Sequence, residues 1–253
     1  MVENCETCKG ITNDGKFCSI CGENLHQQRF TAKEVLYDVP NAVISFDRGL
    51  FRTFRMLSIR PGETVRKILA GLRIRYYKPL NFIFLMGVLY TLLFASFNID
   101  GKIEQSTNDN SAFDDFLLTK SIQWQAFLLL IQIPVIALSS WFLFRKKGLY
   151  YGEHIVANSY MVGEVTLFPI IMFPLYLICN NTIVVDILNY VYLALILFYA
   201  TFFYYDWLFE RKGGISYILK CFGVVIISVL ILAITFTPMM IILYKINVLI
   251  WGK

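Results

Sequence analysis

Five apolar runs dominate this chain, and each is long enough to cross a bilayer. A helix needs about 20 residues to span roughly 30 Å of hydrocarbon. The runs cover 80–99, 121–144, 154–179, 183–209 and about 217–244. The chain is 57% hydrophobic and only 16% charged, against about 25% charged in ordinary soluble domains. The excess is concentrated in the runs, which points to bilayer spans rather than one large soluble core. Pro134, Pro169, Pro174 and Pro238 fall inside them. Each removes a backbone donor and predicts a local kink. The first 28 residues are polar and cysteine-rich with no apolar stretch, so the first run is expected to serve as both insertion signal and permanent span.

Charge sets the expected direction. Residues 1–79 hold 13 of the 23 Lys and Arg side chains. The segment between the first two runs holds two, beside Asp100, Glu104, Asp109, Asp114 and Asp115. Arg145, Lys146 and Lys147 follow the second run, none follows the third, and Arg211, Lys212 and Lys220 follow the fourth. Basic and non-basic segments therefore alternate, and the positive-inside rule predicts a cytoplasmic N-terminus and an outside C-terminus. Trp124, Trp141, Tyr150, Tyr151, Tyr204, Tyr205, Trp207 and Trp251 gather near the run ends, as an interfacial aromatic belt would.

The head is of another kind. "CETCKGITNDGKFCSICG", residues 5–22, carries Cys5, Cys8, Cys18 and Cys21 as two C-x-x-C pairs. A reducing cytoplasmic face argues against disulfides. Two such pairs can place four thiolates tetrahedrally around one zinc ion. Iron in a rubredoxin-like site is the other metal option. Gly22 suits a knuckle turn, and Asn13-Asp14-Gly15 reads as a hairpin turn between the knuckles. Four sulfurs close the shell, so the site is expected to be structural, with His26 outside it and no catalysis. So short a segment cannot build its own core, and the metal would supply its folding energy. Cys179 and Cys221 read as packing residues in the spans.

Residues 29–79 alternate charge with apolar side chains. Thr31 to Glu34 forms a capping box that predicts a helix start. A second helix is expected over "GLFRTFRMLSI" at 49–59, broken by Pro61-Gly62. A third is expected over "ETVRKILAGLRIRYY" at 63–77, with Pro79 opening the first span. Arg48, Arg52, Arg55, Arg60, Arg66, Lys67, Arg73, Arg75 and Lys78 are then candidates for anionic lipid headgroups, because basic and apolar residues interleaved beside a span suit a bilayer surface. Nucleic acid is not expected as a partner, since tethering beside a bilayer already explains the charge.

Architecture, motifs and order together resemble an uncharacterised family of bacterial membrane proteins common in Bacteroidota. The pieces that carry the resemblance are "FCSICG" at 17–22, Arg29, Thr31 and Lys33, "RPGETVRKILAGLRIRYYKP" at 60–79, and more loosely "YYGEH" at 150–154. Tyr160 stands near the place where many members carry another histidine. The resemblance implies an architecture and no activity. Five spans with a cytoplasmic N-terminus are also similar in topology to trafficking proteins of the Yip type.

Within the membrane, Glu164 is the one carboxylate expected deep in hydrocarbon, where a charge costs about 2.5–3.5 kcal/mol. His154, Asn158 and Glu164 fall within roughly 120° of one helix face. With Glu153 they are the intramembrane polar candidates. One reading is a proton, ion or headgroup path. The favoured one is hydrogen bonding between spans, to Gln125, Gln132 or Asn189. Glu153 and His154 are also placed to pair with Arg145 to Lys147. Catalytic triads and phosphate loops are not recognisable.

The expected fold is thus an all-α integral membrane protein. A four-cysteine zinc ribbon (1–28) and basic amphipathic interfacial helices (29–79) precede a five-helix transmembrane bundle (80–253). The expected role is docking or membrane organisation at the bacterial inner membrane, with anionic lipids and a cytoplasmic protein as partners. A small transporter or channel on the polar stripe is the alternative, and a lipid-active enzyme the third.

Overall fold

The computed structural model of the chain describes residues 3–4, 11–12, 18, 49–72, 76–97, 125–178 and 182–251. Cys5, Cys8, Cys21, the helix expected from Thr31, and Arg48, Arg73 and Arg75 lie outside the described residues. Near the N-terminus, Glu3–Asn4 (β1) pairs antiparallel with Ile11–Thr12 (β2), Glu3 opposite Thr12 and Asn4 opposite Ile11. The rest is helical: α1 (Gly49–Ile59), α2 (Pro61–Leu69), α3 (Pro79–Ser96), α4 (Gln125–Leu143), α5 (Tyr151–Ile178), α6 (Thr182–Phe209) and α7 (Ile215–Trp251). Among the described residues, the five helices α3 to α7 are each long and apolar enough to cross a membrane.

α1 has the extent expected from the sequence, but α2 does not. The Pro-Gly pair begins α2 rather than merely breaking α1. Arg60 leaves the helical region with φ −139°, and Pro61 takes the first helical position, where its missing N–H costs nothing. The expected continuation to residue 77 is also overturned, because the helix stops at Leu69. Gly71 adopts φ 109°; its N–H donates to Ile68 O, and the Leu72 N–H donates to Lys67 O. That double closure around a left-handed glycine is a Schellman termination.

Between apolar helices in lipid no hydrophobic force acts, so close approach and hydrogen bonds hold the bundle. Gly87 lets α3 approach α4 so closely that an added Cβ would lie 2.7 Å from Ala126 Cα. Gly163 of α5 lies under the Phe82 ring of α3, where a Cβ would be 2.6 Å from Phe82 Cδ1. Gly163 is three turns into α5, whereas Phe82 is in the first turn of α3. α5 therefore extends beyond the start of α3 by roughly 13 Å.

That protruding part of α5 is the centre of the molecule. Every residue from Gly152 to Glu164 is buried. Helices α4 and α6 flank it, α3 meets it at Tyr160 and Gly163, and α1 and α2 pack on α5, with α2 also packed on the last turns of α6. Leu57, Val65 and Ile68 of these two short helices join a core that includes Phe82, Ile133, Val156, Phe203 and Trp207. α1 and α2 are thus built into one end of the bundle, not laid freely beside it. The belt reading also changes for two aromatics. Tyr204 is 1% and Trp207 3% exposed, so both face the core. Cys221 is fully buried among core residues, as a packing thiol would be; Cys179 lies outside the described residues.

Candidate functional site at the buried end of the third span

A helix buried on all sides must satisfy its polar groups internally. α5 does so through two separate clusters, not one stripe. In the first, His154 and Asn158 meet Ser140 of α4 and Tyr204 of α6. Ser140 Oγ lies 2.9 Å from His154 Nδ1 and accepts from Asn158 Nδ2 at 3.0 Å. Asn158 Nδ2 also donates to His154 O at 2.7 Å, and the Tyr204 hydroxyl donates to Asn158 Oδ1 at 2.5 Å. Trp207 packs edge-on against the His154 ring, 5.0 Å between centroids. His154 Nε2 is buried without a partner among the described residues.

The second cluster joins α5 to α1. The Ser58 hydroxyl donates to Glu164 Oε1 at 2.5 Å, while Oε2 is buried without a partner among the described residues. One turn away, the Tyr160 hydroxyl donates to Tyr77 O at 2.6 Å. The Tyr77 N–H donates in turn to Thr53 Oγ1 at 2.8 Å. Tyr160 thus pins the chain entering α3.

Two of the expected glue partners of the stripe, Gln132 and Asn189, are engaged elsewhere. Asn189 accepts from the Tyr176 hydroxyl at 2.9 Å, toward the far end of α5. Gln132 faces a different cavity. Glu153 does not pair with the basic turn either. Its Oε2 accepts the Tyr150 N–H at 2.8 Å and caps the start of its own helix, where a carboxylate is favoured. Lys147 instead donates to Leu208 O at 2.9 Å and lies over the Phe209 ring, and Arg145 lies over Trp141.

A third buried carboxylate, in addition to Glu153 and Glu164, escaped the sequence reading: Asp206. It is 3% exposed at the end of α6. Its Oδ2 accepts the Gly62 N–H at 2.8 Å, and its Oδ1 accepts from Arg211 Nε at 2.8 Å. Gly62 is required there, since a Cβ would lie 2.3 Å from the Asp206 carbonyl carbon. Arg66 donates to the Asp206 carbonyl, which also accepts the Glu210 N–H, and at 2.9 Å to the carbonyl of Trp207, in the last turn, where a helix leaves its carbonyls open. The turn that returns Arg211 toward Asp206 has positive φ at both Glu210 and Arg211.

The basic candidates divide accordingly. Arg66 is committed to α6, and Lys67 and Arg60 pair with Glu63 at 2.5 and 3.3 Å. These two bases, Lys67 first, hold the Glu63 carboxyl below its ordinary value. Arg52, Arg55 and Lys78 are exposed, as are Phe51 and Ile59 of the outer face of α1.

Residues 47–91 match the model of a family described as a protein of unknown function (DUF3667). The matched stretch begins just before α1 and ends within α3. It contributes Thr53, Ser58, Gly62, Arg66 and Tyr77, one side of every link just described between the short helices and the spans. No curated protein and no solved structure matches the chain.

Proposed function

We propose that this is a docking protein of the bacterial inner membrane. In this reading the spans anchor a cytoplasmic zinc ribbon through a rigidly seated helical hairpin. The observation that carries it is the seat itself. Ser58 to Glu164, Gly62 to Asp206 and Arg66 to the end of α6 fasten α1 and α2 to two spans. The seated hairpin fixes the point at which the N-terminal part of the chain joins the bundle.

The chemistry of the head fits zinc. Cys18 is 2% exposed, and residues 5–10, which connect the paired strands β1 and β2, include Cys5 and Cys8. Cys5, Cys8, Cys18 and Cys21 would hold one ion, which would fold the head without opening a catalytic position. The cytoplasmic orientation rests on the alternation of basic loops. The exposed Phe51, Arg52, Arg55 and Ile59 give α1 an outer face suited to anionic headgroups.

Transport is the second reading, favoured by the orphaned Glu164 Oε2 and His154 Nε2. The first reading has more support, because the remaining polar groups of the stripe are used up in links between helices. The experiment compares the intact protein with a Cys18→Ser, Cys21→Ser double variant at matched expression. Zinc content and crosslinked cytoplasmic partners are measured on both. Loss of zinc together with one specific partner supports docking. Loss of zinc with every partner retained rejects it and leaves transport to be assayed.

A further inference from the structure

Beside the first cluster, with which it shares Tyr204, α4, α5, α6 and α7 enclose a cavity of about 240 Å³. Its wall is mostly aliphatic, with Ile136, Val165, Ala200 and Val225 among the lining residues. Ser228 of α7 also lines it, 6% exposed, with its Oγ buried and unpartnered among the described residues. Gln132 of α4 and Tyr192 of α6 line the same space. The other two polar lining residues are already engaged: Thr166 donates to Val162 O and Tyr204 to Asn158 Oδ1. No Asp, Glu, Lys, Arg or His among the described residues lines the cavity.

An apolar pocket with a few convergent polar groups is the usual form of a small-molecule site. A buried hydroxyl without a partner costs about 1–3 kcal/mol, so it marks a place where a partner is missing. We infer that this cavity binds a neutral membrane lipid through a carbonyl or hydroxyl group, hydrogen-bonded by Ser228 and flanked by Gln132 and Tyr192. Neutrality follows from the wall, which offers no counter-charge for a phosphate or carboxylate in a medium where unpaired charge is costly. Entry is from the bilayer: Val229 of α7, at the rim, is 46% exposed on a membrane-spanning helix. The chain of the lipid would extend out along this side while its polar group reaches Ser228. This inference does not depend on the docking role.

The test uses the full-length protein in phosphatidylethanolamine and phosphatidylglycerol vesicles, photolabelled with a fatty alcohol that bears a diazirine and an alkyne. Labelling is expected to saturate, to map to lining residues such as Ala200 and Val225, and to be competed by unlabelled fatty alcohol but not by an alkane of equal length. Ser228→Ala is expected to lower labelling roughly five-fold, the value of one hydrogen bond. The same variant should melt no lower than wild type, because it removes an unsatisfied buried group. Ala200→Leu, which fills the space, should abolish the saturable fraction. Non-saturating labelling, equal competition by the alkane, or labelling unchanged in both variants would overturn the site and leave only lipid surrounding the bundle. Saturable labelling competed better by a fatty acid than by the alcohol would overturn its neutrality.

Discussion

The backbone N–H of Gly62 donates to the carboxylate of Asp206 across 144 positions of sequence, at 2.8 Å. The contact exists because Gly62 has no side chain: a Cβ there would lie 2.3 Å from both the Asp206 carbonyl carbon and the Trp207 nitrogen. Backbone atoms cannot move aside as a flexible side chain could. Gly62→Ala is therefore expected to push α2 off α6 and to cost about 1–3 kcal/mol. The cost should appear as a lower melting temperature in detergent and as faster proteolysis within residues 49–72. Asp206→Asn keeps an acceptor for Gly62 and should be milder than Asp206→Ala. Equal stability of Gly62→Ala and wild type would remove the clamp as a structural element.

Asn158 holds three helices at once. Its amide nitrogen serves Ser140 of α4 and its oxygen accepts from Tyr204 of α6. Asn158→Leu leaves the Tyr204 hydroxyl buried without its acceptor. A loss of about 1–2 kcal/mol is expected, above the average for polar pairs between spans because the site is wholly buried in protein. Combining it with Tyr204→Phe removes both ends of the bond, and the double variant should be more stable than the sum of the single losses. Melting curves of the four proteins in one detergent test this directly.

These links also mark where sequence reading stops. The five spans were legible because length and apolar content alone define them. α1 was legible from its composition and bounding residues. The end of α2 was not, because one glycine inside a helical pattern reads as tolerated until its φ is known. Tyr204 and Trp207 read as belt aromatics because α6 is apolar all round, and nothing local says which face meets protein. Asp206 drew no reading at all, because it lies close to the end of its run, where a carboxylate is ordinary. Its partner Gly62 lies in a distant segment that no periodicity connects to it. Hydrogen bonds between helices do engage Asn158 and Glu164, but through Ser140, Tyr204 and Ser58 rather than Gln132 or Asn189, since a serine gives no signal in an apolar or basic context.

The acid limb of stability should carry a small term from Glu63. Its hydrogen bond from Lys67, and then the pairing with Arg60, lower its folded value from the ordinary 4.5. A carboxyl lowered on folding stabilises the protein at neutral pH, and that contribution is lost as pH falls through the lowered value. Exposure and screening keep the effect small. Glu63→Gln should thus reduce the loss of melting temperature between neutral pH and about pH 4. An unchanged or steeper loss in the variant would refute this assignment.

Ser58 and Glu164 make the sharpest pair, because the two possible deletions should differ in sign. Ser58→Ala leaves the carboxyl of Glu164, at a position 1% exposed, with neither oxygen partnered among the described residues. A buried group stripped of its partner costs about 1–3 kcal/mol, whereas replacing both partners by apolar groups is nearly neutral. Ser58→Ala is expected to destabilise. Glu164→Leu is expected to melt at or above the wild-type temperature, because the remaining Ser58 hydroxyl still reaches Phe54 O at 3.1 Å. The double variant should regain what Ser58→Ala lost. Amide exchange separates global from local effects: Glu164→Leu should speed exchange in α1, whose link to α5 is gone, while α5 stays protected. If Glu164→Leu instead lowers the melting temperature as much as Ser58→Ala does, the carboxyl has further partners in the membrane-bound protein. The orphaned Oε2 is where they would attach.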